Sequence, residues 1–280
     1  MAKSELTDLR QAYPELAPDP DYPPLRLESL KGKVSAAEWE ARVDCACAYR
    51  LVRHFGMDDL IYNHISARIP GTEEFLLNPM GLMYDEICAS ALIKVDRAGT
   101  VLWQPQFPEG LPYKFNPAGY VIHGAIHEAR PAVHCVIHTH SLAGMAVSSL
   151  KHGLLPMTQT AMRFARVAYH DYEGVVLEMD ERKRLIANLG EAEVMFLRNH
   201  GLLAVGNTVA EAFNNMYRVE RACRAQLLAQ SASDEMVLPP SPVVDKTAEL
   251  YRPGTRRTMG LLEWPAMRRF ADRLDPSYRN

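Results

Sequence analysis

Short apolar strand runs alternate with well-capped helices along this chain, and that alternation limits the possible folds more than any other feature. Ser35 and Glu38 form an S-A-A-E capping box, a pattern that satisfies the free N–H groups at a helix start. Trp39, Val43, Ala46, Cys47 and Leu51 follow at helical spacing, and Gly56 can close the end. Thr208 and Glu211 make a second box, T-V-A-E. It opens a long helix with Val209, Phe213, Met216, Val219, Cys223 and Leu227 on one face. Residues 60–78 alternate as strands, bounded by turns at Pro70-Gly71 and Pro79. A helix from Pro117 to Ala129 has Pro in its first turn, Val121, Ile122, Ala125 and Ile126 as its apolar face, and Pro131 beyond its end. AVHCVIHTH then reads as a strand and Leu142 to Leu150 as a helix. VAYHDYEGVVLEM reads as strand and turn, and Asp180 caps a helix ending at Gly190. VMFLRNHGLLAVG reads as two strands around a turn at Asn199-His200-Gly201. This order specifies an α/β fold with one main domain.

Pro14, Pro18, Pro20, Pro23 and Pro24 mark residues 1–33 as an extended arm. The main domain covers 34–232. Residues 233–280 form a C-terminal extension, with a polar linker SASDEMVLPPSP and a helix around Trp264, Met267, Phe270 and Leu274. A formal net charge of −3 argues against nucleic-acid binding, which needs clustered Lys and Arg. No apolar run approaches the ~18 residues of a membrane span. The N-terminus lacks the apolar core of a secretory signal. Cys45, Cys47, Cys88, Cys135 and Cys223 are odd in number and sit in apolar segments, which suits buried thiols in the cytoplasm.

His138 and His140 lie two apart on the AVHCVIHTH strand, so both imidazoles point to one face and make half a metal site. His134 shares that face but stands over ~13 Å away along the strand. His200 sits in a turn at strand ends, where α/β folds place functional groups. An H-x-H pair alone is equally consistent with ordinary structural histidines.

HTHSLAG, the later NHGLLAVG turn and the helix start TVAEAF together resemble the class II aldolase/adducin family, over about residues 35–230. NHISAR resembles that family's early phosphate-loop strand, and LLNPMGLMYDEICASALIKVD its next strand, turn and helix. NPAGYVIHGAIHEARPAVHCVIHTH and GLLPMTQTAMRFARVAYHDYEG resemble the adducin-like branch. The resemblance implies a three-layer fold with a mixed or antiparallel central sheet flanked by helices. It also implies one divalent ion per subunit (zinc first, with Fe(II) or Mn as alternatives) held by His138, His140 and His200. A small-molecule substrate and a homotetramer with active sites between subunits are implied as well.

The chain departs from the sugar-phosphate aldolases of that family. Their P-S-S-E pattern supplies phosphate-binding serines and an acid/base glutamate. Here the segment reads Asn116-Pro117-Ala118-Gly119, so the hydroxyls are gone and Gly119 stands where the glutamate would be. The family's glycine-asparagine pair reads Asn63-His64. A dianionic phosphate needs several donors, so a sugar phosphate is a poor fit. Asn63, Ser66, Arg68, Gly81 and Gly119 are the candidate substrate-binding residues, with Arg68 suited to a carboxylate. His64, Tyr113 and His123 are the candidate catalytic residues, with Glu109 and Tyr120 also within consideration. His64 aligns with a substrate-loop position, whereas His123 on a helix equally suits a buried hydrogen bond. Asp171 and Tyr172 read as loop braces.

Three functions compete. The first is a metal-dependent lyase acting on a non-phosphorylated hydroxy- or oxo-carboxylate by aldol cleavage, decarboxylation or dehydration. The second is a three-histidine Fe(II) oxygenase, since non-heme iron oxygenases of aminocoumarin biosynthesis resemble this family. The third is a non-catalytic oligomeric scaffold like the adducin head domain, although adducin's long basic tails have no counterpart here.

Overall fold

The computed structural model describes residues 25–107, 114–174, 179–252, 255 and 258–280. In chain order, the elements are α1 (Ala36–His54), β1 (His64–Arg68), β2 (Phe75–Leu77), β3 (Ile93–Val95), β4 (Val101–Trp103), α2 (Pro117–Ala129), β5 (Cys135–Thr139) and α3 (Leu142–Ser148). They continue with α4 (Gln159–Met162), β6 (Ala168–His170), α5 (Met179–Leu189), β7 (Val194–Leu197), β8 (Gly201–Gly206), α6 (Val209–Ala232), α7 (Ser241–Leu250) and α8 (Trp264–Leu274).

The hydroxyl half of each capping box forms. The Ser35 hydroxyl accepts the Glu38 N–H at 3.1 Å, and the Thr208 hydroxyl accepts the Glu211 N–H at 3.2 Å. Asp180, expected before the helix, lies within α5, which spans Met179–Leu189. Where a helix is expected before β3, a single 3-10 turn, Ala89–Ala91, is found. Its Ser90 hydroxyl accepts the Leu30 N–H, and its N–H donates to the Asn280 carbonyl, so the segment before α1 and the segment after α8 hold it in place.

The eight strands form one mixed sheet in the order β4-β3-β2-β1-β5-β8-β7-β6. Its pairings are antiparallel except the parallel β6–β7 edge. Side chains alternate between its faces with period two. Ile65, Cys135, Ile137, Phe196, Leu202 and Ala204 join a large core with Val43 and Leu51 of α1 and Phe213 and Met216 of α6. Val136, Met195, Leu203 and Val205 face the other way, packing with Ile122 and Ile126 of α2 and Leu185 and Leu189 of α5. The sheet is thus the middle of three layers, as the family resemblance implies.

The C-terminal segment packs back onto α1. The Trp264 indole N–H donates to Asp44 at 3.0 Å, and Tyr278 is fully buried in the large core.

Candidate metal centre

The antiparallel register explains how the histidines meet. His138 pairs with Leu203 of β8, and β8 starts at the turn that carries His200. His140 follows β5 directly. Asn199 supplies the left-handed backbone of the turn, with φ 55°, whereas Gly201 is extended. Gly201 is needed for a different reason: a Cβ there would strike the Thr139 carbonyl oxygen.

Nε2 of His140 lies 3.0 Å from Nε2 of His138 and 2.9 Å from Nε2 of His200, and the group converges within 4.8 Å. Tetrahedral zinc with Zn–N near 2.05 Å sets ligand nitrogens about 3.3 Å apart, so the His138–His140 and His140–His200 spacings are near what such an ion needs. The outer nitrogens of His138 and His140 are engaged. Nδ1–H of His138 donates to the Leu202 carbonyl at 2.9 Å, and Nδ1 of His140 meets the Asp59 carboxylate at 3.0 Å. Such partners fix the tautomer and aim the Nε2 lone pair inward. Burial, then the neighbouring imidazoles, holds His138 well below its ordinary pKa. Burial, then His140, lowers His200 to about 4. Both are therefore neutral near pH 7, as metal ligands must be.

His64 pairs with His138 across β1–β5, and their ring centroids are 5.0 Å apart. His64, Ser66 and Arg68 alternate onto the face covered by α2, where His123 and His127 meet them. Nδ1 of His64 is 2.8 Å from Nε2 of His123. Nδ1 of His123 is 2.7 Å from the Ser66 hydroxyl, and that hydroxyl is 2.8 Å from Nε2 of His127. Nδ1 of His127 reaches the Val133 carbonyl at 3.2 Å. Burial holds His64 and His123 well below the usual histidine range and lowers His127 to about 3.

The other sequence candidates fall variously. Asn63 is buried, and neither atom of its side-chain amide has a partner among the described residues. Ser66 is occupied by two histidines. Arg68 is engaged by Glu73 at 2.7 Å and by the His127 carbonyl, so it ties β1 to α2. Gly81 lies in an exposed turn with φ 107°. Gly119 is buried against His64: a Cβ there would fall 2.7 Å from Cδ2 of that imidazole. Tyr120 braces the Arg97 carbonyl through its hydroxyl at 2.5 Å. Tyr113 and Glu109 lie outside the described residues. Tyr172 presents its ring edge to His200 at 6.3 Å between centroids, and Asp171 beside it is exposed. Two partners escaped the sequence reading. His127 could have been found from its i, i+4 spacing to His123 on α2. Asp59 carries no local pattern that marks it.

The match to the class II aldolase and adducin N-terminal domain model covers residues 43–227. An aldolase II superfamily protein of Pseudomonas syringae is 45% identical in sequence. It superposes with a TM-score of 0.83, covering 90% of this chain and all of that one (100%). L-fuculose 1-phosphate aldolase of Glaciozyma antarctica is 27% identical with a TM-score of 0.74, covering 92% of this chain and 97% of that one. Rat alpha-adducin is 40% identical over 221 residues, which are 76% of this chain but only 30% of adducin. Among the described residues no helix is long and apolar enough to cross a membrane. The fold, the matched segment and these relatives place the chain in the class II aldolase and adducin N-terminal domain family.

Proposed function

We propose that this chain is a divalent-metal-dependent lyase acting on a small non-phosphorylated hydroxy- or oxo-carboxylate. The observation that carries the reading is the convergence of three imidazoles on one point, with the outer nitrogens of His138 and His140 held by Leu202 and Asp59. His138, His140 and His200 would hold the ion, with zinc the best match to an all-nitrogen set. When bound, the ion supplies Lewis acidity to the substrate oxygens. Gly119 offers no side chain to a phosphate, and its neighbour His64 fills the space beside it. The unpaired Asn63 amide is the group we assign to the substrate, because a buried amide needs a partner. His64 is assigned the acid/base role and His123 its support. We further place the protein in the cytoplasm, consistent with five free, buried cysteines, as a homotetramer with sites between subunits.

The adducin relative favours a second reading, a scaffold without chemistry. A three-histidine Fe(II) oxygenase is a third, since the described residues bring three histidines together, a variant of the usual iron triad of two histidines and a carboxylate. Metal analysis of protein purified without added metal, followed by turnover assays on a panel of hydroxy and oxo acids, separates them. The lyase reading expects about one zinc per chain and turnover without oxygen. Iron with oxygen uptake would overturn it. So would metal-free protein whose stability is unchanged in His138→Ala.

A further inference from the structure

We infer that Ser66, His123 and His127 form a buried hydrogen-bond chain with one allowed proton order, which leaves Nε2 of His64 without a proton. The role of that nitrogen as a proton acceptor rests on the lyase reading above; the proton order does not.

The order follows from the anchor. The Val133 carbonyl can only accept, so Nδ1 of His127 carries the proton. A neutral imidazole has one N–H, so Nε2 of His127 accepts, and the Ser66 hydroxyl must donate its single hydrogen there. Ser66 is then left to accept from Nδ1–H of His123. Nε2 of His123 accepts in turn, so Nδ1 of His64 donates to it. His64 is left with Nε2 unprotonated. Each step requires neutral rings, and all three are buried, at 4% exposure for His64, 0% for His123 and 2% for His127. Arg68, hydrogen-bonded to the His127 carbonyl, adds a positive charge that opposes a further proton on that ring. Reversing any single bond would leave two donors or two acceptors facing each other in a dry interior, a costly mismatch.

A separate observation shows why position 119 carries no side chain. A Cβ at Gly119 would lie 3.1 Å from Nε2 of His64 and 2.7 Å from its Cδ2. Any side chain at 119 and this imidazole therefore exclude each other. A side chain at 119 would start against the Cγ–Cδ2 part of the ring, so an imidazole at 64 in this position goes with glycine at 119. Under the lyase reading, Nε2 is the ring nitrogen of His64 left to meet a substrate, because Nδ1 is held by His123. Ser66, His123 and His127 are positioning residues: they set the tautomer and touch no substrate. The tautomer of a catalytic histidine controls rate strongly when a buried partner sets it.

The test is solid-state 15N NMR of the protein as purified, labelled at histidine, with signals assigned through His64→Asn, His123→Asn and His127→Asn. The expected result is protonated Nδ1 and bare Nε2 for His64, His123 and His127. In Ser66→Ala the chain is cut, so His64 should show both tautomers, and Ser66→Thr, which keeps a hydroxyl, should restore the single form. Where turnover is found, Ser66→Ala should lower kcat about 10- to 100-fold with KM unchanged. A proton on Nε2 of His64 in the unaltered protein would overturn the inference, as would an unchanged His64 spectrum in Ser66→Ala. The NMR needs no substrate. Absence of turnover with the expected tautomers sinks the lyase reading alone, and turnover with the wrong tautomer sinks this inference alone.

Discussion

His127 shows how much a single buried side chain can tie to pH. It is lowered to about 3 from an ordinary 6.5, by burial first and Arg68 second. His64 and His123 are lowered in the same direction by burial. The folded state keeps these rings neutral, while the unfolded chain binds protons below about 6.5. The unfolded state therefore holds more protons through this window, and stability falls as pH falls. The contribution is complete above pH 6.5 and is lost progressively toward about pH 3. Each such ring adds up to about 1.4 kcal/mol per pH unit. Urea midpoints at pH 7, 6 and 5 should decline steadily, above the range where most carboxylates titrate. His127→Gln should be less stable at pH 7 but flatter with pH. A level midpoint from pH 7 to 5 would mean that these rings are charged or solvated in the folded protein.

At the scale of elements, what was legible in the sequence was local. The capping boxes at Ser35 and Thr208 act within three residues, and the limits of α2 are set by Pro117 and Pro131. Ser35→Ala or Thr208→Ala should each cost about 1 kcal/mol. Chemical denaturation checks this, and a loss under a few tenths would show that tertiary packing alone holds those helix starts. Metal content should stay unchanged, since neither cap touches the histidines. The three converging histidines were legible through the family resemblance, on motifs that are themselves local: H-x-H on a strand and N-H-G in a turn. The chain from His64 to Val133 was not. It needs β1 to lie beside β5 in one register and α2 to cross that face at one height, and no short-range pattern encodes either condition.

At the scale of the whole molecule, the C-terminal segment is where the sequence said least, because its meaning depends on a distant partner. Trp264 reads as one apolar residue of a short helix. In the fold it packs with Phe213 of α6, at 5.9 Å between ring centroids, while its N–H bonds Asp44 of α1. It therefore joins two helices that also cover the central sheet. Tyr278 is buried in the same core and donates its hydroxyl to Asp272, and the Asn280 carbonyl accepts the Ser90 N–H near β3. Removing this segment would uncover apolar surface on α1 and leave the half-buried Asp44 carboxylate without its indole donor. Trp264→Ala should cost about 3–5 kcal/mol, lowering Tm on the order of 10 °C for a chain of this size. A chain ending at Ala232 should lose more and precipitate or bind a hydrophobic dye, since it exposes the core face of α1 rather than one cavity. Scanning calorimetry of the point variant and of the shortened chain checks both. If the shortened chain melted at the temperature of the full chain, the packing of Trp264 and Tyr278 would be peripheral, and the core would be complete with the helices of the metal-binding domain alone.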